Sequence, residues 1–310
     1  MSTHAVSPYV LVGVDGSSSA LRAVCWAAQE AHRRGIRLVI AHVVDTGLLT
    51  YGPDVQAMFV EEIEKIGHDV SAPAEQRVEK HYPSVPTSTV TAAGIPAGEL
   101  VGLSEHAVLT VVGASGRGGF SAALLGSVAM ALITDGRSPV AVIRSPHDAP
   151  VPQTGPVIVG VDGGECSEEA IAWAFDEASR RRTSLIAVHS WMFYSTTIKP
   201  FPTSVSDSRA RAAQAVEERE VIAERLAGWQ EKYPDVHVER VTEMGQPADH
   251  LLDLARNAQL VVIGCRGHGE LTGIWFDSVT RTLIHRADCP VLVARHKATR
   301  NKETMTERAH

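Results

Sequence analysis

One arrangement occurs twice along the chain and limits what it can become. An apolar run, Val108–Val112, leads into GASGRGGFSAALLGS at Gly113–Ser127, and a helix-like run follows at Val128–Ile133. An apolar run of that length closed by glycine reads as a strand entering a loop. The loop carries glycines at 113, 116, 118, 119 and 126, a density that lets backbone N–H groups approach a ligand closely. Gly126-Ser127 then open a helix whose N-terminus favours an anion. Taken alone, such a loop is either a tight turn or a phosphate cradle. The second copy, GCRGHGELTGIWFDS at Gly264–Ser278, also sits between an apolar run (Leu260–Ile263) and a helix, which favours the cradle.

The repetition extends over most of the chain. Asp15 matches Asp162 and Trp26 matches Trp173 at an offset of 147, whereas Gly116 and Gly267, Ser127 and Ser278, and Pro139 and Pro290 match at 151. Four net residues are therefore inserted in the second copy, and the loop 191–207 is the expected place. The chain divides into a first domain at 1–145, a linker at 146–156 within the proline-rich stretch SPHDAPVPQTGP, a second domain at 157–295, and a polar tail at 296–310 read as disordered.

In the first copy, strands are expected at 9–14, 38–44, 85–91, 108–112 and 140–144. They alternate with helices that end at Gly35, run from 55 to about 81, span 96–106 and end near 136. Pro73 should stop or kink the second helix, and Ser17–Ser19 supply N-cap candidates for the first. Strand alternating with helix five times means a parallel, doubly wound α/β sheet, so the fold is two tandem five-stranded domains of this kind. Ligands of such sheets sit at the carboxyl ends of strands, where Asp15 and Gly113 both lie. The last strands, 140–144 and 291–295, are apolar edges that call for covering, and pairing the two repeats through them would provide it.

With 29 Lys and Arg against 36 Asp and Glu, the net charge is -7. No basic patch is seen, which argues against a nucleic-acid partner. Arg33-Arg34 and Arg180–Arg182 read as cations in the last turns of helices. No stretch approaches the ~20 apolar residues of a membrane span, nor is there a secretory leader at the start, so a cytoplasmic protein is expected. Four cysteines (25, 166, 265, 289) without CxxC spacing imply neither a disulfide framework nor zinc. Cys25 and Cys289 read as core, and Cys166 and Cys265 fall in loops after strands. His42 and His189 read as core or site-wall residues, and His68, His81 and His106 as exposed. The helix 209–229 should cover the sheet with Ala212, Val216, Ala223 and Leu226.

The spacing of Gly113, Gly116, Gly126 and Ser127, with VDGSSS after the first strand, VVG before the cradle and SPVAVIR in the last strand, resembles the universal stress protein family. VDGGECS, VVIGCRGHG and CPVLVAR carry the resemblance into the second half. It implies an ATP-binding α/β domain of strand order 3-2-1-4-5, here in tandem, in a family whose members commonly dimerise and act in stress tolerance, dormancy and growth control.

By that resemblance, backbone N–H groups of Gly113, Ser115, Gly116, Gly126, Ser127 and Val128 hold the phosphates, and the Ser127 hydroxyl adds a donor. Asp15 suits a ribose hydroxyl or a magnesium ion, with an Asx turn or helix cap as its plainer role. Gly13 and Val14 pass close to the nucleoside, and Val43 meets the edge of adenine. Arg117, the one cation of the first cradle, meets a phosphate or points to water. The corresponding second-repeat positions are Gly160, Val161, Asp162, Gly264, Arg266, Gly267, Ser278 and Val279. Asp277 replaces Gly126 there and puts a negative side chain where phosphates should approach. At about 5 Å and an effective dielectric near 20 a like charge costs roughly 3 kcal/mol, or about a hundredfold in affinity, so the second site should bind ATP weakly or not at all unless magnesium bridges. There is neither a GxxxxGK[ST] loop nor an SGGxDS signature. A non-enzymatic nucleotide sensor is the leading expectation, acting on an unidentified protein partner. A slow magnesium-dependent ATPase or phosphotransferase, or a scaffold with vestigial binding, stands beside it. A homodimer is compatible with each of these.

Overall fold

The computed structural model describes residues 7–46, 60–116, 125–144, 149–162, 164, 166–192, 205–264 and 278–295. The loop after the second strand, Arg117, Cys265, Arg266, Gly267, Asp277 and the tail lie outside them, as does the side chain of Cys166.

Among the described residues, ten strands form one sheet. In the first repeat these are β1 (Tyr9–Val14), β2 (Arg37–Asp45), β3 (Thr87–Gly94), β4 (Leu109–Gly113) and β5 (Val140–Ile143); in the second, β6 (Val157–Gly160), β7 (Leu185–Trp191), β8 (Val238–Met244), β9 (Leu260–Gly264) and β10 (Val291–Ala294). The order is β3-β2-β1-β4-β5-β10-β9-β6-β7-β8, so each repeat has the expected 3-2-1-4-5 order. Strands are parallel within each repeat. Between them β5 and β10 pair antiparallel, with Ala141 opposite Leu292, and the two apolar edges cover each other as the sequence suggests.

Helices lie on both faces. On one face are α1 (Ser18–Arg34), α2 (Val60–His81), α5 (Cys166–Arg181) and α6 (Val205–Leu226), followed by the short α7 (Trp229–Lys232); on the other are α3 (Pro96–Leu103), α4 (Ser127–Asp135), α8 (Pro247–Ala255) and α9 (Ser278–Arg286). Alternation along the strands feeds both layers: Val10 and Val12 of β1 point to the first, Tyr9 and Leu11 to the second. Each core layer holds residues of both repeats, so the packing is continuous across the junction.

Local signals explain most boundaries. Ser17 caps α1 through its Oγ on the Ala20 N–H, 3.1 Å, and Gly35 ends that helix in the left-handed conformation. Pro96 sits in the first turn of α3. Pro73, by contrast, neither ends nor interrupts α2. It is on the exposed face, where the carbonyl it leaves unpaired can meet water, while Ser71, Ala74 and Val78 are buried. The long helix of the second repeat breaks at Gly228 (φ 79°). Its inner face is Ile222 and Leu226, whereas Val216 is 51% exposed and Ala212 faces solvent, a correction to the expected register. Cys289 is buried, but Cys25 is only half-buried.

The arginines at the ends of α1 and α5 are more than last-turn cations. Arg34 binds Glu177 and, at 3.0 Å, Asp176; Arg181 binds Glu30. Arg34 also lies over the Trp173 ring at 4.6 Å, and Arg181 over the Trp26 ring at 5.6 Å. Glu30 and Glu177, Arg34 and Arg181, and Trp26 and Trp173 all correspond at the offset of 147, so the contact reads the same from either repeat. The linker is tied to it: Gln259 accepts from Arg181 at 3.0 Å and donates to Gly155 O at 2.6 Å. At Gly155 a Cβ would meet Asn257 O at 2.2 Å, and φ is +107°.

Candidate functional site

At the carboxyl ends of β1 and β4 three segments of the first repeat converge. The Ser17 N–H donates to Asp15 Oδ1 at 3.0 Å, which holds the carboxylate at the mouth of the β1 loop. The Asx turn is thus formed, and the second oxygen faces the cradle: a Cβ added to Gly116 would lie 2.7 Å from Asp15 Oδ2. Gly113 turns against the first turn of α1, where a Cβ would meet Ser19 Oγ at 2.5 Å and its carbonyl carbon at 2.9 Å. Only glycine fits at either position without displacing a neighbour.

The far end of the cradle returns to its beginning. The Gly126 N–H donates to Ala114 O at 2.9 Å, and a Cβ on Gly126 would lie 3.8 Å from the Gly116 nitrogen and 4.0 Å from Ser115 Cα. Ser127 opens α4, whose first backbone bond runs from Met130 N to Gly126 O. Helix geometry leaves the N–H groups of Ser127, Val128 and Ala129 without an intrahelical carbonyl. Ser115, Gly116 and Ser127 are exposed. The described part of the mouth therefore combines a helix N-terminus, glycine backbone and one carboxylate, a donor set suited to a phosphate chain with Asp15 beside it.

The remaining candidates of the first repeat occupy its walls. Gly13 is buried and its missing side chain makes room for α3: a Cβ would meet Leu100 at 3.2 Å. Val14 and Val43 are each 7% exposed. His42, on β2 beside them, donates through Nδ1 to Val14 O at 2.8 Å and fixes the end of β1.

The second repeat reproduces this frame and changes its lining. Gly160 meets Leu251 as Gly13 meets Leu100, at 3.3 Å, and His189 Nδ1 donates to Val161 O at 2.8 Å. Asp162 forms the same Asx turn as Asp15 and adds a bond to Ser167. Its Oδ1 accepts from the Gly164 N–H at 2.9 Å and from the Ser167 hydroxyl, whose oxygen accepts from the Asp162 N–H at 3.0 Å. Ser167 stands where the first repeat has Ala20. Ser190, the counterpart of Val43, is hydrogen-bonded to His250 Nδ1 at 3.0 Å, and His250 Nε2 faces Glu243 at 3.5 Å. His189 Nε2 meets Glu218 at 2.8 Å, and that bond holds the Glu218 carboxyl below its ordinary range against the opposing effect of burial. Gly264, Ser278 and Val279 hold the corresponding ends of β9 and α9.

Ser167, Ser190, Glu243 and His250 are positions that motif spacing misses. Aligning the repeats at their two offsets along their whole length, rather than at the glycines and Asp15 alone, finds them. Among the described residues no cluster of three or more His, Cys, Asp or Glu could hold a metal by itself. Also among them, no helix is long and apolar enough to cross a membrane.

The sequence matches the profile of the universal stress protein family at residues 9–144 and again at 154–295. A universal stress protein of Mycobacterium tuberculosis is 40% identical over 295 residues, covering 92% of this chain and 96% of the relative. Another from the same organism is 38% identical over 315 residues, covering 96% and 100%. The crystal structure of a universal stress protein from Archaeoglobus fulgidus superposes with a TM-score of 0.67 at 20% identity, over 93% of this chain and 98% of that one, a likeness of fold.

Proposed function

The chain belongs to the universal stress protein family, and from that footing we propose that its first repeat is an ATP site and that the protein acts as a nucleotide-dependent regulator in stress response, dormancy or growth control. The observation that carries the reading is the convergence of Asp15, Gly116 and Gly126 at one mouth, with the start of α4 beside them. Backbone N–H groups of Gly113, Ser115, Gly116, Gly126, Ser127 and Val128 would hold the phosphates, and the Ser127 hydroxyl would add a donor. Asp15 would take a ribose hydroxyl or a magnesium ion, and Val43 would border the base. The second site, with Ser167 bonded to Asp162 and a polar wall in place of Val43, would bind ATP poorly.

The role is regulatory rather than catalytic on this reading. Phosphoryl transfer needs a group that orients the attacking oxygen, and the described mouth offers Asp15 alone. Binding in the cytoplasm would alter which protein partner the chain meets. Any self-association into a homodimer would use a surface other than the β5 and β10 edges, which pair with each other.

The test is to denature the purified protein, without added nucleotide, and quantify what it releases. One ATP per chain is expected. Two would overturn the assignment of a poor second site. None, with no binding when ATP is added back to folded protein, would make the protein a scaffold. Steady phosphate release that is lost in Asp15→Ala would make it an ATPase.

A further inference from the structure

The contact between α1 and α5 holds two carboxylates, Glu30 and Glu177, neither with any exposed surface. Their surroundings differ. Both oxygens of Glu177 are bonded, Oε1 by Arg34 Nη2 and Oε2 by Arg181 Nε at 2.9 Å. Glu30 receives both of its donors, Arg33 Nη1 at 2.8 Å and Arg181 Nη2, on Oε1. Its Oε2 is buried without a hydrogen bond, 3.8 Å from an Arg34 Nε that also makes none. A buried carboxylate oxygen that has lost water and gained no donor is where the cost of charge is greatest.

We propose that Glu30 is a proton switch for the contact between the two repeats: a proton on Oε2 tightens α1 against α5, and its loss loosens them. The groups facing Glu30 carry both signs. From its own helix come Arg33 and Arg34, with Cys25 further back. From α5 come Glu177 and Arg181, with Asp176 and Arg180 behind them. Tyr82, beyond the end of α2, lies near enough to feel the Glu30 charge. Gln259 bonds the far side of Arg181. His32, the histidine nearest in sequence, is exposed and bonded to Ser84 Oγ at 3.3 Å.

Burial first, then the charge of Glu177, push Glu30 up to about 7 against the pull of Arg181, Arg33 and Arg34. Burial acts on Glu177 in the same sense, but Arg181 and Arg34 outweigh it and hold that carboxyl below its ordinary range. When the contact opens, Glu30 is hydrated and returns toward 4.5. Between those two values the closed form keeps a proton that the open form has lost. The closed form is therefore favoured as pH falls through that window, and the advantage is lost as pH rises through 7. Glu177 has the opposite sign, supporting the closed form above 4.5 and withdrawing that support only in stronger acid. Because α1 begins beside Asp15 and runs about 18 Å to Glu30, the proton sits toward the other end of a helix that opens at the proposed ATP site.

The experiment is the thermal midpoint of the full chain between pH 5.5 and 8, for the wild type, Glu30→Gln and His32→Asn. The wild-type midpoint should fall by on the order of 5 °C across that range. Glu30→Gln should remove at least half of the slope while matching or exceeding the wild type at pH 8, and His32→Asn should keep the slope. A flat or rising wild-type profile, or an unchanged slope in Glu30→Gln, would overturn the proposal. Should that variant not fold, a carbon-13 titration of the Glu30 carboxyl in the wild type decides the matter: a midpoint near 7 supports it, and one near 4.5 refutes it.

Discussion

The two repeats share a frame and differ in what they hang on it. In both, a glycine lets a leucine of the helix after the third strand approach the sheet, and a histidine on the second strand bonds the end of the first at 2.8 Å. Those positions serve packing, and both halves need them equally. At other positions the halves part: Val43, Ala92, Glu99 and Ala20 of the first correspond to Ser190, Glu243, His250 and Ser167 of the second. In the second set Ser190 bonds His250, which faces Glu243, and Ser167 bonds Asp162. A polar group that satisfies its neighbour has less to offer a ligand, because binding must first break that bond. The comparison teaches that a duplicated fold constrains its core twice and its site only once.

The comparison breaks most sharply at Gly116. Gly116→Asp drives a second carboxylate into Asp15, so ATP affinity should fall by more than the hundredfold of a single like charge; titration calorimetry showing near-normal binding would remove the mouth from the proposed site. Gly126→Asp carries the second repeat's residue into the first. A Cβ there touches nothing closer than 3.8 Å, so the fold should be kept while affinity drops about a hundredfold. Unchanged affinity would mean that Asp277 is not what separates the two sites. The reverse graft sharpens the contrast: Asp277→Gly with Ser167→Ala and Ser190→Val should raise bound ATP above one per chain in equilibrium dialysis, and a count fixed at one would place the difference elsewhere. The smallest effect belongs to Ser167→Ala alone. It should cost about 1 kcal/mol of stability through the lost hydroxyl bonds at the start of α5, seen as a shift of a few degrees in melting, with binding at the first site unaltered.

Much of the frame is legible in the sequence itself. β1 has the limits read from its apolar run, Gly35 ends α1 as a glycine after the last periodic residue should, and the apolar final strands announce their pairing. The first mouth is legible because glycine spacing is a backbone property that sequence states directly. Less visible are features made by residues far apart in the chain. Arg34 and Arg181 look like ordinary last-turn cations until α1 and α5 lie side by side, and nothing local to Ser190 announces His250. Pro73 and Val216 mark the same boundary: the helix passes one and exposes the other because packing of the surrounding residues overrides a local rule.

The antiparallel seam between β5 and β10 has one more consequence. In a pair of identical chains joined the same way, each substitution arrives in both halves at once, and a change that spoils one site spoils the other. Here the halves are written separately, so selection could retain a glycine at 126 while admitting an aspartate at 277, and could keep both halves packed as one sheet while letting their mouths diverge.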